Sequence, residues 1–561
     1  ATDAPAAEEA SGNDIVVTAT KREQSLQDVP IAVSVTSAQT IERANIRDLK
    51  DLATVVPSLR VSEHQTSTQT DFIIRGFGNG ANNAGIEPSV GVFVDGVYRS
   101  RSAAQITDLP DIQRVEVLRG PQSTLFGKNA SAGVVSIVTQ KPKFTFGGNV
   151  EASYGNYNAL VIKGVVTGPL SENIAASLAA GYNRRDGYYL NPVTGGKIND
   201  RDRWFIRGQL LFQPHDGLSI RLIGDYAKVK EICCAAESVA VGARTGILTS
   251  PLIGGQVNNP ADPFGGKFYA NFDPTNSVEN YGLSGQIDYE VGPMTLTSIT
   301  AYRESKTLAN FDTDFSSADL LRGAGIGRLD VKTFTQELRL QANFVDRVNV
   351  LLGGFYFHEN VDQGSDVRWG TAARPYFGAL FQAAGVSIPL LEGTFGALEG
   401  NPAKYIGQFF VPGQGFSEAD KLNDNNFSIF SQIDFKVTER LTLTGGINYT
   451  NDKKRFADSY TTTDSFAGVN FNDVRYAPFR NQLLYQGALA QQVGAGYRLF
   501  NALDIAEFAL TDGHKITVQY GWHGSPEEQA EFGAELTNQS AAMVTELDAL
   551  EIGAFLTGQF R

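Results

Sequence analysis

Beyond Phe144, apolar and polar positions alternate over stretches of about ten residues, each closed by a turn, the repeat expected of antiparallel strands with two unlike faces. In 203–212, Trp204, Ile206, Leu210 and Phe212 fall on one side, and Arg203, Arg207 and Gln209 on the other. In 440–450, Leu441, Leu443, Ile447 and Tyr449 oppose Thr442, Thr444, Gly446 and Asn448. The same parity runs through 173–183, 218–228, 283–290, 333–342, 347–357 and 427–437, and predicts about eleven strands before Asp452. So many amphipathic strands in succession argue against a soluble sandwich. They predict a mainly β chain forming a transmembrane antiparallel barrel, with one face in lipid and the other in an aqueous lumen. Connections support this. Gln213-Pro214-His215-Asp216-Gly217, Glu290-Val291-Gly292-Pro293 and Val437-Thr438-Glu439 are tight turns, whereas 231–277, 308–328 and 361–423 are long loops rich in Gly, Pro and Asn. Outer-membrane barrels have short periplasmic turns and long external loops.

The pattern before Phe144 is different. Residues 1–13 lack aromatic and, apart from Thr2, β-branched anchors, and are expected to be a disordered tether. Asp14-Ile15-Val16-Val17-Thr18-Ala19 has strand propensity but no obvious neighbour, so it is expected to be an edge able to pair with a partner strand. From Ile31 to Gln140 a small mixed α/β domain is predicted. Ser37–Arg43 and Ile46–Leu52 read as short helices, the second with Ile46, Leu49 and Leu52 on one face. Asp71–Gly76, Val90–Tyr98, Val115–Arg119 and Val134–Thr139 read as strands punctuated by glycine turns.

Composition sharpens this picture. The chain has 58 Gly, 20 Tyr and 35 Phe but only 2 Met and 19% charged residues, usage that suits many aromatic strands joined by turns. A net charge of −14 argues against nucleic acid as a partner. No run of 18 apolar residues is present, which leaves a barrel open because barrel strands give a weak hydropathy signal. The opening residues have neither a basic start nor an apolar core, so any secretory leader is expected to have been removed already. Adjacent Cys233 and Cys234 cannot staple distant segments; they read as a free or locally bridged loop pair. No catalytic residue, cofactor or metal site is expected. There is no Gly-x-Ser-x-Gly or His-Glu-x-x-His, and the five histidines, His64, His215, His358, His514 and His523, are scattered. The Arg119-Gly120-Pro121 to Gly127 segment is not a phosphate loop, because six residues separate the glycines and Asn129 follows Lys128.

Three segments now carry a resemblance. Arg75-Gly76-Phe77-Gly78, Val92-Phe93-Val94-Asp95-Gly96-Val97-Tyr98 and Val115–Ala130, completed by Gly133–Thr139, resemble the plug motifs of TonB-dependent outer-membrane receptors, in particular alphaproteobacterial members. Gln336–Leu340 followed by Gly353–Phe357 extends the likeness into the barrel, to about residue 453. The resemblance implies a tether at 1–13, a TonB box at Asp14, Ile15, Val16, Val17, Thr18 and Ala19, a plug at 20–142 inside the lumen, and a barrel at 143–561. It implies active import of a scarce solute across the outer membrane, by default a ferric siderophore, with TonB, ExbB and ExbD as partners and membrane lipid and lipopolysaccharide around the barrel. The alternatives are an oligosaccharide or other nutrient receptor, or a truncated, non-transporting outer-membrane protein. Solute contacts are expected at the plug apex from Asn79, Asn82, Asn83, Tyr98, Arg99 and Arg101; Arg75, Glu116 and Arg119 are expected to make polar plug–barrel contacts, with Gly76, Gly120 and Gly127 in tight turns.

The family barrel has 22 strands, and too few residues follow Asp452 for eleven more with turns. The tail also changes character. Ser525-Pro526-Glu527-Glu528 reads as a helix start, and Phe532, Leu536, Met543, Val544, Leu547 and Leu550 suit a helical face. The region of about 510–561 is therefore expected to be partly helical, with Gly553 to Phe560 as a possible last strand before Arg561.

Overall fold

In the computed structural model, residues 16–479 are described except 19, 23, 28, 45, 47, 64–68, 80–84, 106–110, 323–326, 345–346, 384 and 439, together with the backbone of 505–511 and 515–520. The expected tether, Asp14, Ile15, Ala19, Asn82, Asn83 and the helix after Ser525 lie outside the described residues.

The N-terminal domain contains β1 (Val16–Val17), β2 (Gln24–Ser25), β3 (Val33–Ser37), α1 (Ala38–Arg43), β4 (Leu59–Glu63), β5 (Thr70–Ile74), β6 (Val90–Val94), β7 (Val97–Arg99), α2 (Ser102–Gln105), β8 (Ile112–Arg119), α3 (Ser123–Phe126) and β9 (Gly133–Thr139). Five strands form one sheet in the order β3-β8-β9-β6-β7, with β6 and β9 parallel and the other neighbours antiparallel. Its core is aliphatic: Leu49, Leu52, Val56, Ile74, Val92, Val115 and Val135 are buried together. Ser37 caps α1 by accepting the Thr40 amide.

Two local expectations need correction. Ile46–Leu52 is not a helix; only Asp51–Thr54 coils, as a 3-10 turn. The Asp48 carboxylate accepts the amides of Lys50 and Asp51 at 2.9 and 3.2 Å, which offers the backbone a turn in place of a helical ladder. Ile46, Leu49 and Leu52 are nevertheless buried, as their spacing suggested. Val90–Tyr98 is a hairpin rather than a single strand. Asp95 and Gly96 both have positive φ, 49° and 78°, the two-residue turn that an Asp-Gly pair favours.

After Phe144 the chain lays down β10 (Gly147–Gly155), β11 (Ala159–Ser171), β12 (Ile174–Arg185), β13 (Tyr189–Leu190), β14 (Lys197–Ile198), β15 (Arg201–His215), β16 (Leu218–Ile232), α4 (Ala243–Leu248), β17 (Thr275–Val291), β18 (Met294–Asn310), β19 (Leu321–Arg322), β20 (Arg328–Phe344), β21 (Val348–Trp369), β22 (Gly415–Thr438) and β23 (Leu441–Thr462). Eleven of these form a wall in the order β10-β11-β12-β15-β16-β17-β18-β20-β21-β22-β23, with β19 pairing beside β21 and β13 with β14. The strands outgrow the ten-residue expectation, reaching 24 residues in β22.

The wall is polar within and apolar without. Trp204 and Leu210 are 42% and 44% exposed, whereas Arg203 and Arg207 are each 4% exposed. Trp204, Tyr226 and Tyr281 stack outside across β15, β16 and β17, with centroids 5.0 and 6.0 Å apart. Such an aromatic row above an apolar band suits a membrane interface. No helix among the described residues is long and apolar enough to cross a membrane.

A second compact unit comprises 373–415 and 462–561. Its α5 (Ala373–Ala383) and α6 (Ile388–Leu398) lie inside the expected loop of 361–423. Phenylalanines account for these helices. Phe377 stacks on Phe410 at 4.1 Å, and Phe395, Phe409, Phe466 and Phe471 bury one another nearby. In this unit β24 (Ile505–Thr511) and β25 (Lys515–Tyr520) form an antiparallel hairpin, so the start of the expected helical tail is strand.

Candidate functional site

The plug meets the wall mainly through charge. Its loops present Lys21, Arg22, Asp48, Asp95, Arg101 and Lys128, and the inward positions of the wall answer each one. Lys21 Nζ pairs with Glu337 at 3.0 Å, and Arg22 with Asp434. Asp48 takes Arg203 Nη1 at 3.1 Å, while Arg203 also holds Glu231 at 2.5 Å. Asp95, at the hairpin tip, accepts the Thr139 amide and hydroxyl at 3.0 and 2.9 Å and binds Arg207 and Arg221 of neighbouring wall strands. Arg101 reaches Glu359 through Nε and Nη2 at 3.0 and 2.6 Å. Lys128 joins Glu87 of the plug to Asp424 of the wall, and Lys454 holds Glu87 from the other side at 2.6 Å.

The largest apolar sector among the described residues lies against β21 and β22. Phe93, Tyr98, Leu125 and Phe126 of the plug pack with Leu351, Phe355, Phe357 and Phe430 of β21 and β22. Two of the paired cations share it, with Lys21 lying 4.4 Å from the Phe126 centroid and Lys128 4.5 Å from that of Phe357. Gly127 permits this close approach. Its φ is +70°, and a Cβ there would lie 3.2 Å from Ser428 Oγ and 3.6 Å from Phe355.

Burial acts against the charged forms of Glu87, Asp95 and Lys21, and the partners outweigh it in the first two. Desolvation raises the Glu87 carboxyl, but Lys128, Lys454 and Arg101 outweigh it and hold the pKa at about 2. Asp95 is likewise desolvated, yet Arg221 and Arg207 keep it below the usual carboxylate range. Lys21 is pulled below its ordinary value because burial exceeds the attraction of Glu337. Ion pairs buried in this way fix position while adding little net stability, since desolvation offsets most of their attraction.

The apex candidates occupy unlike places. Asn79 is exposed and donates from Nδ2 to the Glu87 carbonyl at 3.0 Å. Tyr98, Arg99 and Arg101 were expected on a solvated loop, but the structure buries them in the seat. Tyr98 packs against Phe93 and Phe357, and its oxygen accepts from Asn129 at 2.9 Å. Burial and the Arg303 charge both pull Arg99 below its ordinary value, with Asp225 opposing them.

The expected plug–barrel contacts are also corrected. Arg75 is exposed in the turn that bridges Ile74 to Phe77. Among the described residues, Arg119 Nε donates to the Ala32 carbonyl of the plug at 3.4 Å. Glu116 is fully buried, but its partners lie in the plug: Arg114 at 2.7 Å and the amide and hydroxyl of Thr18 at 2.9 and 3.1 Å. The true contacts were missed because pairing across separate domains leaves no local pattern. Inward parity had placed Arg203 and Arg207 on the right face without naming Asp48 or Asp95 as partners. Gly76 and Gly120 do lie in turns at positive φ, 85° and 89°.

The Glu116 contacts engage the segment expected to stand alone as an edge. Val16 pairs with Ser25 and Val17 with Gln24, the Val17 side chain is fully buried, and Val16 remains 42% exposed. The segment is thus docked on the plug by two strand pairs and a carboxylate.

Residues 25–134 match the family of TonB-dependent receptor plug domains. The chain is 32% identical over 183 residues to the pesticin receptor of Yersinia pestis, covering 32% of this chain and 27% of that one. It is 27% identical over 234 residues to the ferrioxamine B receptor of Salmonella typhimurium strain SL1344, covering 38% and 32% respectively. It thus matches about a third or less of the length of these curated relatives. Among solved structures, the ferric yersiniabactin uptake receptor of Yersinia pestis superposes with a TM-score of 0.61 at 19% identity, covering 77% of this chain and 58% of that one. The ferripyoverdine receptor of Pseudomonas aeruginosa gives 0.57 at 14% identity, covering 80% and 55%. Residues 25–134 are thus those of a TonB-dependent receptor plug domain by sequence, and the wall shares its fold with the solved uptake receptors.

Proposed function

We propose that this chain acts in TonB-dependent import of a ferric siderophore across the outer membrane of a Gram-negative bacterium. The observation that carries the reading is the docked Val16–Thr18 segment on a plug that is seated by charge. A strand held by two residue pairs and the Glu116 carboxylate can be exchanged for pairing with a periplasmic partner, because main-chain hydrogen bonds would be replaced in kind. TonB is that partner in our reading, with ExbB and ExbD energising it. The iron-chelate assignment draws support from the relatives, whose names include ferrioxamine B, ferric yersiniabactin and ferripyoverdine. Asn79, with its neighbours Asn82 and Asn83, is the apex segment we assign to solute contact. Tyr98, Arg99 and Arg101 would join it only when the seat opens.

Deleting residues 14–19 is expected to abolish energy-dependent uptake of a ferric siderophore while surface binding persists. Undiminished transport by the deletion variant would overturn the reading.

A further inference from the structure

The ion pairs that seat the plug are sorted by sign. Against β15 and β16 the plug supplies carboxylates, Asp48 and Asp95, and the wall supplies arginines. Against β20, β21 and β22 the roles reverse: Lys21, Arg22, Arg101 and Lys128 come from the plug, and Glu337, Asp434, Glu359 and Asp424 from the wall. A seat that had only to hold the plug would need no such sorting, because an ion pair holds equally well in either direction.

The arginines form a ladder. Arg203 and Arg207 are four residues apart on β15, and Arg221 of β16 pairs in register with Leu211, four residues further on. At about 3.3 Å per residue, successive rungs are roughly 13 Å apart along the wall. Arg201 extends the ladder toward the long loops, in register with Arg185 of β12. Donors along it are unspent. The terminal nitrogens of Arg207 serve Asp225 and Asp95, but its Nε is buried without a hydrogen-bond partner, as is Nε of Arg185. Buried N–H groups left unmatched are uncommon in folded proteins and call for a further acceptor.

Moving the plug takes Asp48 and Asp95 from this face and leaves the wall arginines behind. The inward charges of β15 and β16 are then Arg201, Arg203, Arg207 and Arg221 against Asp225 and Glu231. The face becomes cationic, whereas the opposite sector, with Glu337, Glu359, Asp424 and Asp434, becomes anionic. A buried arginine stripped of its partner is strongly unfavourable. A solute bearing carboxylate or catecholate oxygens would replace the plug carboxylates in kind, through the same charge-assisted N–H···O bonds. We propose that the inner face of β15 and β16 is the path of an anionic solute past the plug, with Arg203, Arg207 and Arg221 as its contacts and Asp48 and Asp95 holding those contacts while no solute is present. The assignment rests on import as read above and names the class of chelate: net negative, built from carboxylate or catecholate donors.

The test has two arms. Asp95→Ala leaves Arg207 and Arg221 without a plug carboxylate, and calorimetric titration of the full chain in detergent with sodium acetate reads whether an outside carboxylate takes the position. The expected result is saturable binding of one acetate by Asp95→Ala, none by the unsubstituted chain, and at least tenfold weaker binding once Arg221→Gln is added. Asp48→Ala, opposite Arg203, serves if Asp95→Ala does not fold. No binding by the folded variant would overturn the exchange on which the path depends. The second arm measures uptake of radioactive iron by cells from an anionic ferric tris-catecholate and from cationic ferrioxamine B. Arg221→Gln with Asp95→Asn is expected to lower uptake of the anionic chelate at least fivefold at unchanged surface binding. Arg22→Met with Asp434→Asn, which removes a pair from the opposite sector, is expected to leave uptake unchanged. Import of the cationic chelate alone, or equal losses from the two double variants, would overturn the path while the import reading stands; import of neither chelate by the unsubstituted chain would sink both.

Discussion

The plug is held together by one kind of contact and held in place by another. Its core gathers Leu49, Leu52, Ile74, Val115 and Val135, whose burial contributes roughly 1.5–3 kcal/mol per side chain. Its seat sets Lys21, Arg22, Asp48, Asp95, Arg101 and Lys128 against wall charges, where attraction and desolvation nearly cancel. A domain built in this way keeps its own fold when its seat is disturbed. The difference also separates two properties that a single apolar interface would merge, stability of the part and strength of its attachment. Apolar contacts join the charges where Phe93 and Phe126 meet Phe355 and Phe430, where Val97 meets Ile299 and Ala301, and where Ala103 meets Val229 and Val278.

Substitutions can break this contrast. The largest effect is expected from Glu359→Gln, which leaves Arg101 buried beside a neutral partner. The plug should lose about 3–5 kcal/mol of attachment, read as an earlier plug transition in denaturant and faster proteolysis of plug loops. Ile74→Ala should cost about 2–5 kcal/mol through its cavity, but should destabilise the plug itself, so a hydrogen-exchange measurement would show core amides opening rather than seat residues. Glu116→Gln should weaken its charge-assisted bonds to Thr18, worth about 1.5–3 kcal/mol as a class, and expose Val16 and Val17 to protease while leaving the wall intact. Acid should act more gently. Glu87 has a depressed folded pKa, so its contribution is present above the unfolded carboxylate value near 4.5 and is lost as pH falls toward about 2; Glu87→Gln should flatten the dependence of plug release on pH in that window. The smallest change is expected when Arg101→Met is combined with Glu359→Leu. Near-neutral attachment in that pair, beside the large loss in Glu359→Gln, would establish that the seat positions more than it binds.

Much of the architecture was legible because strand parity is local. Trp204 and Leu210 opposite Arg203 and Arg207 sufficed to orient a wall strand, and repetition of that parity yielded the number of strands observed. The plug sheet was legible for the same reason, through its β-branched runs. Side-chain competition with the backbone was harder to read: Asp48 turned an apparent helix into a bend, and Asp95-Gly96 divided an apparent strand. The seat was the least legible part. Arg101 and Glu359 are 258 residues apart, and a charged residue after a turn looks solvated until the opposite surface is known. Tyr98, Arg99 and Arg101 were placed at an open apex for that reason, and Glu116 was assigned to the wall when it holds Thr18.

The hairpin tip at Asp95 has a further consequence, for the register of the strands around it. Its carboxylate engages Arg207 of β15 and Arg221 of β16, which face inward together only when those strands pair as Gly208 with Gly224. A slip of one residue in either strand would turn its arginine toward lipid and carry an apolar side chain to the tip. Asp95 would then be left without counter-charge in a dry site. The Asp95 contacts are therefore specific to this register of β15 and β16.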